Sequence, residues 1–172
     1  MVKKLVLFLT LFIIMGGCTT MTMQLTSSEF EHQGNIPSKY TCDGANINPP
    51  LTITNIPENT KSLVLLMDDP DVPKNIREDG MWDHWVVFNI PPTTKTIFEG
   101  QEPPGIQGLN TGGVNGYGGP CPPDREHRYF FKLYALDIEL DLSLSATKTE
   151  VEQAMQGHVL EKTELVGRYK RG

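Results

Sequence analysis

Hydrophobic positions along the chain fall into short blocks separated by Pro, Gly, Asn and Asp, with very little of the 3.6-residue spacing that marks a helix. Strands are expected at Leu51 to Ile56, Ser62 to Met67, His84 to Ile90, Arg128 to Asp137 and Leu165 to Lys170, all rich in β-branched or aromatic residues. Leu63 to Met67 and Tyr129 to Leu136 are apolar at nearly every position. Strands of that kind are covered by protein on both faces, and without βαβ alternation they point to an antiparallel two-sheet sandwich. Only one segment reads as helix. Thr147 and Glu150 form a capping box, Val151, Ala154 and Met155 an apolar stripe, and Gly157 a stop.

A different pattern occupies the N-terminus. Lys3 and Lys4 precede an apolar run from Leu5 to Met15, broken only by Thr10 and followed by Gly16, Gly17 and Cys18. The run is too short to cross a bilayer, which takes about 20 residues, and suits the core of an export signal. The small residues before Cys18 look like a bacterial lipoprotein cleavage site. Residues 1–17 are thus read as a signal peptide, Cys18 as the lipidated first residue, 18–26 as a tether and 27–172 as one domain. The expected product is exported and membrane-anchored, on the periplasmic or cell-surface side.

Charge narrows the partners. The chain carries −6, and loss of residues 1–17 removes two lysines and moves it to −8. Apart from Arg168, Lys170 and Arg171 the basic residues are scattered, so no nucleic-acid surface is expected. With Cys18 lipidated, Cys42 and Cys121 remain as an even pair in an oxidising compartment, where a disulfide is expected and two buried thiols are the alternative.

Three segments carry candidate chemistry. Asp69, Pro70, Asp71, Val72 and Pro73 follow a buried strand and hold two carboxylates on a proline-stiffened turn. Trp82 to Trp85 contain His84, which strand alternation places on the face opposite Trp85. Gly100 to Pro123, a loop with eight glycines and five prolines, leads through Pro120 and Cys121 to His127, Arg128 and Tyr129. Its Gly116 to Gly119 run could offer several N–H groups to an anion. His32 and His158 lie outside these segments, and His158 is expected to be satisfied at the helix end.

Taken in order, DPDVP, DHWVVFNIP and GYGGPCPP with HRYFFKLYALD, flanked by KYTCDGANINPPL and GHVLEKTELVGRY, resemble the phosphatidylethanolamine-binding protein family. The likeness is to its bacterial and archaeal branch, often called Raf-kinase-inhibitor-like, and covers residues 26–171. It implies a mainly β, antiparallel Greek-key sandwich with one or two short C-terminal helices and a small anion pocket at one end. The ligand set it implies is Asp69, Asp71, Pro73, His84, Pro120, Cys121, His127 and Tyr129, with Asp71 and Arg128 more in keeping with scaffold. Asp124, Arg125 and Glu126 depart from the family, which usually has a glycine there, and residues 74–79 form a longer, more charged connection.

The resulting expectation is a protein that binds a small anion such as phosphate or a phospholipid head group, and performs no chemistry on it. No catalytic residue, metal or cofactor is expected, since no nucleophile sits in a recognised setting. Inhibition of serine or cysteine proteases by the same scaffold is the alternative, and a protease, another envelope protein or a second copy in a homodimer are the partners it admits.

Overall fold

A computed structural model describes residues 21–172. The expected signal peptide and Cys18 lie outside the described residues. Among the described residues nine strands form two sheets. β1 (Gln24–Thr26), β3 (Leu51–Thr54) and β6 (Thr96–Ile97) make the smaller one, in the order β1-β3-β6. β2 (Gly34–Asn35), β4 (Ser62–Asp69), β5 (Trp82–Ile90), β7 (Ile106–Gln107), β8 (His127–Leu136) and β9 (Val159–Tyr169) make the larger, in the order β2-β9-β8-β4-β5-β7. All pairings are antiparallel except β2 with β9.

The larger sheet is buried on both sides of its centre, as the unbroken apolar run of β4 requires. Leu63, Leu65 and Met67 face the smaller sheet with Trp85, Val87, Tyr129 and Phe131. Val64 and Leu66 face the other way, against Val86, Phe88 and the residues around α1 (Lys148–Ala154). Fully burying such a side chain is worth roughly 1.5–3 kcal/mol. The two layers therefore carry most of the fold's stability.

α1 is too short to persist alone. Its capping box is formed as expected, with the Thr147 N–H donating to Glu150 Oε2 at 2.8 Å and the Glu150 N–H to Thr147 Oγ1. Val151 and Met155 dock it on the sheet. Lys148 adds an ionic tie: its Nζ lies 2.7 Å from Asp68, which is fully buried, and 3.2 Å from Asp83, while Lys132 meets Asp68 at 2.8 Å. Burial alone would lower the Lys148 pKa, but Asp68 and Asp83 outweigh it and hold the ammonium above its ordinary range.

Two expectations need correction. Residues 18–26 are expected to be a tether, yet Met23 and Leu25 are buried and Gln24–Thr26 pair with Thr52–Thr54, so the packed body begins at least three residues before position 27. Alternation at Leu25 is what seats it: one apolar side chain between two polar ones fits a sheet facing the core on one side. The last strand begins at Val159, six residues before Leu165, because the polar stretch Glu161 to Glu164 pairs with Ala135 to Lys132 along the full length of β8. Partner strand, not hydrophobicity, defines that segment.

Candidate functional site

Three neighbouring strands of the larger sheet end together and supply the polar groups of the site. Asp69 closes β4, His127 opens β8 on one side of it, and His84 lies near the start of β5 on the other. All three line one cavity of about 340 Å³. Val72, Ile76, Trp82 and Pro123 give it an apolar rim, and Gly118, Gly119 and Cys121 form the wall facing β5.

His84 reaches this cavity only because β5 is irregular. Met67 pairs with Trp85, but the next residue, Asp68, pairs with Asp83, so His84 is the extra residue of a β-bulge. A bulge breaks the two-residue alternation and puts adjacent side chains on the same side. Trp85 faces the core between the sheets, and His84 packs edge-on against Tyr129 on that same side, ring centroids 5.3 Å apart. The expectation that His84 and Trp85 lie on opposite faces is overturned by the bulge. Asp83, in turn, faces α1.

The two imidazoles are held differently. His84 donates from Nδ1 to the Gly118 carbonyl at 2.7 Å, which fixes that proton and leaves Nε2 for the cavity. Burial, only partly offset by the Gly118 carbonyl and the negative charge on Asp69, lowers its pKa. His127, wholly buried, donates from Nδ1 to Asp69 at 2.6 Å and from Nε2 to Asp124 at 2.8 Å. A carboxylate only accepts, so both bonds form at once when the ring carries both protons.

Asp69 is itself oriented by the Asp71 N–H, 2.8 Å from its other oxygen. Of the remaining predicted residues only Cys121 lines the cavity; Asp71, Pro73, Pro120 and Tyr129 do not, and lie around it. The Asp71 carboxylate receives both the Arg128 Nε and Nη2 at 2.8 Å, an arrangement that lowers its pKa and ties the 69–73 turn to β8. It is therefore a scaffold residue. Pro73 closes the next turn through its carbonyl, which accepts from Ile76 and Arg77, and Pro120 accepts from Cys42. Tyr129 is buried behind His84; its hydroxyl has no hydrogen-bond partner among the described residues, and burial pushes its pKa up.

Cys42 and Cys121 are bonded, as expected of an even pair, and the bridge fastens the 38–48 segment to the cavity wall. That segment presses close: a Cβ at Gly119 would lie 2.6 Å from the Tyr40 carbonyl oxygen, so this position admits only glycine. The anion nest expected from Gly116 to Gly119 is not free to serve. The Gly118 N–H donates to the His84 carbonyl and the Gly119 N–H to Asn46 Oδ1.

Sequence reasoning missed the apolar rim of Val72 and Ile76, and the role of Asn46, whose only trace was its place in the KYTCDGANINPPL segment. Trp82 lines the cavity while Trp85 packs the core. His32 and His158 lie elsewhere. His158 bonds Asp137 at 2.9 Å just after the helix, and His32 accepts from the Val166 N–H.

Comparison with known proteins agrees with this architecture. The phosphatidylethanolamine-binding protein family profile matches residues 26–170. The UPF0098 protein of Chlamydia muridarum is 48% identical over 149 residues, covering 87% of this chain and 99% of that protein. A crystal structure of a phosphatidylethanolamine-binding protein homologue from Chlamydia trachomatis superimposes with a TM-score of 0.86 at 47% identity, covering 88% of this chain and 99% of that one. The E. coli protein YbcL, described as a member of the mammalian PEBP family, gives 0.79 at 29% identity over 88% of this chain and all of that one. With its two sheets, single short helix and paired histidines at one sheet end, the chain belongs to the phosphatidylethanolamine-binding protein family, in the branch shared by bacteria and archaea.

Proposed function

We propose that this protein binds a small anion, a phosphate or carboxylate group, in the cavity between His84 and His127, and releases it unchanged. The observation that carries this reading is the position of the two imidazoles on one cavity, each with Nδ1 held by the protein: the Nε2 of His127 meets the Asp124 carboxylate, and the Nε2 of His84 accepts from a protonated ligand oxygen or, in the cationic ring, donates. An imidazole N–H of His127 donating to an anionic oxygen makes a charge-assisted bond, worth about 1.5–3 kcal/mol. The apolar rim suits a ligand whose charged group enters first and whose remainder stays against Trp82 and Ile76.

Calorimetric titration with inorganic phosphate tests the reading. Replacing His127 by Ala is expected to weaken binding at least about tenfold, on the arithmetic of one lost charged bond. Unchanged affinity in a variant that keeps its β-rich circular dichroism would refute it. Repeating the titration with sulfate, whose charge is constant over the range, isolates the protein's own protons. Because burial holds the His84 pKa below its ordinary value, this ring gains its cationic form only as pH falls beneath about 6.5. Sulfate affinity is expected to rise in that direction, and an affinity that falls as the solution is acidified, with the protein still folded, counts against a role for His84.

We also propose export and anchoring through a lipid on Cys18. What supports it is the pairing of Cys42 with Cys121, a bond that persists in oxidising compartments, together with the apolar N-terminal run. Mass spectrometry of the N-terminal peptide from membrane fractions tests it, and an unmodified Cys18 there would overturn it.

A further inference from the structure

The position where an anion would meet His127 is already taken. Asp124 Oδ1 lies 2.8 Å from His127 Nε2, and Asp124 Oδ2 lies 3.2 Å from Arg125 Nη1. One carboxylate is thus shared between an imidazole and a guanidinium, and Arg125 Nη1 is itself 3.4 Å from His127 Nε2. Two donors converging on one carboxylate in this way would serve a ligand carboxylate or phosphate equally well.

Other features single out Asp124 as the group that gives way. The imidazole of His127 is wholly buried and fixed from behind by Asp69, whereas the Asp124 side chain is 46% exposed on a loop. Arg125 has a second hold, its Nη1 reaching the Asp71 carbonyl at 3.2 Å, so it stays in place when Asp124 leaves. Asp124 and Arg125 also line a second hollow of about 280 Å³, which shares Pro123 with the His127 cavity and includes Lys170 and Arg171. A carboxylate turned off His127 therefore finds cations in that hollow.

We propose that Asp124 is an internal surrogate for the anionic ligand, displaced when that ligand binds, and that Arg125 is a ligand-binding residue which the incoming anion inherits together with His127. This rests on the anion-binding reading above and adds an affinity threshold to it. A ligand enters only if it competes with a tethered carboxylate, so weakly held anions are excluded and every anion binds less tightly by the same factor.

The experiment is phosphate and acetate titration of the folded protein and three exposed-loop variants. Asp124→Ala is expected to bind phosphate about tenfold more tightly, the size of one charge-assisted bond no longer in competition, and to bind acetate more tightly as well. Arg125→Ala is expected to bind phosphate about tenfold more weakly. Glu126→Gln removes a neighbouring negative charge that faces Arg168 and not His127, and is expected to change affinity less than twofold. If Asp124→Ala and Glu126→Gln tighten binding equally, the effect is one of net charge and the surrogate role is overturned. It is overturned as well if Asp124→Ala binds as the parent does or more weakly, while binding itself stands. If neither the parent nor Asp124→Ala binds phosphate, the anion-binding reading falls and the surrogate falls with it.

Discussion

Loss of the Cys42–Cys121 bridge is expected to destabilise the fold by about 4 kcal/mol, the largest effect of any change considered. The bond closes a loop of sequence separation 79, and the chain-entropy account assigns a loop of that size roughly this value. The loop contains β3 to β7, so the freedom restored to the unfolded chain is that of strands from both sheets. For a domain of this length, that corresponds to a fall of roughly 8–16 °C in melting temperature. Thermal melts of the Cys42→Ser/Cys121→Ser double variant beside the oxidised parent measure it; a shift of less than about 2 °C would show that packing alone fixes the segment. Phosphate affinity is expected to fall as well, since Cys121 forms part of the cavity wall and Pro120 bonds the Cys42 N–H.

Substituting Lys148 by Met is expected to cost about 3 kcal/mol, with the sheet still assembled. Asp68 is fully buried, and its remaining partner would be Lys132, which is partly exposed. Removing one member of a buried ionic group leaves a charge without compensation, and such losses run to roughly 3–5 kcal/mol. The lower figure applies because Lys132 remains. Since the folded pKa of Lys148 is raised, its contribution is complete below about 10.5 and is lost only as pH climbs through the folded value. A chemical denaturation midpoint measured near neutral pH therefore reads the whole effect. The Asp68→Leu/Lys148→Met pair provides the internal check: it is expected to recover much of the loss, and if the double variant is weaker than the sum of the two single ones, the ionic account is wrong.

Elements whose burial is written in their own residues were legible from sequence. β4 and β8 announced themselves through apolar runs, and the short helix through Thr147 and Glu150. Elements defined by their neighbours were not. β2, β6 and β7 are two residues long and exist only as edge pairings, while the charged first half of β9 is a strand because β8 lies beside it. The site divides the same way. Asp69, His84 and His127 were found from their motifs, but the bulge that turns His84 inward is a mismatch of register between β4 and β5, and no local pattern at Trp82 to Trp85 encodes it. Asp124 was visible as an unusual residue, and its bond to His127 was not, because a loop carries no periodicity from which direction can be inferred.

Asp68 and Asp69 are consecutive on β4 and face opposite ways, one toward Lys148 and the helix, the other toward His127 and the cavity. A one-residue slide of that strand would exchange them, sending each acid to the other's partner. Assembly of the cavity is thereby all-or-none: a chain with its central strand out of step turns the wrong carboxylate toward His127, and anchoring of the helix certifies the correct one.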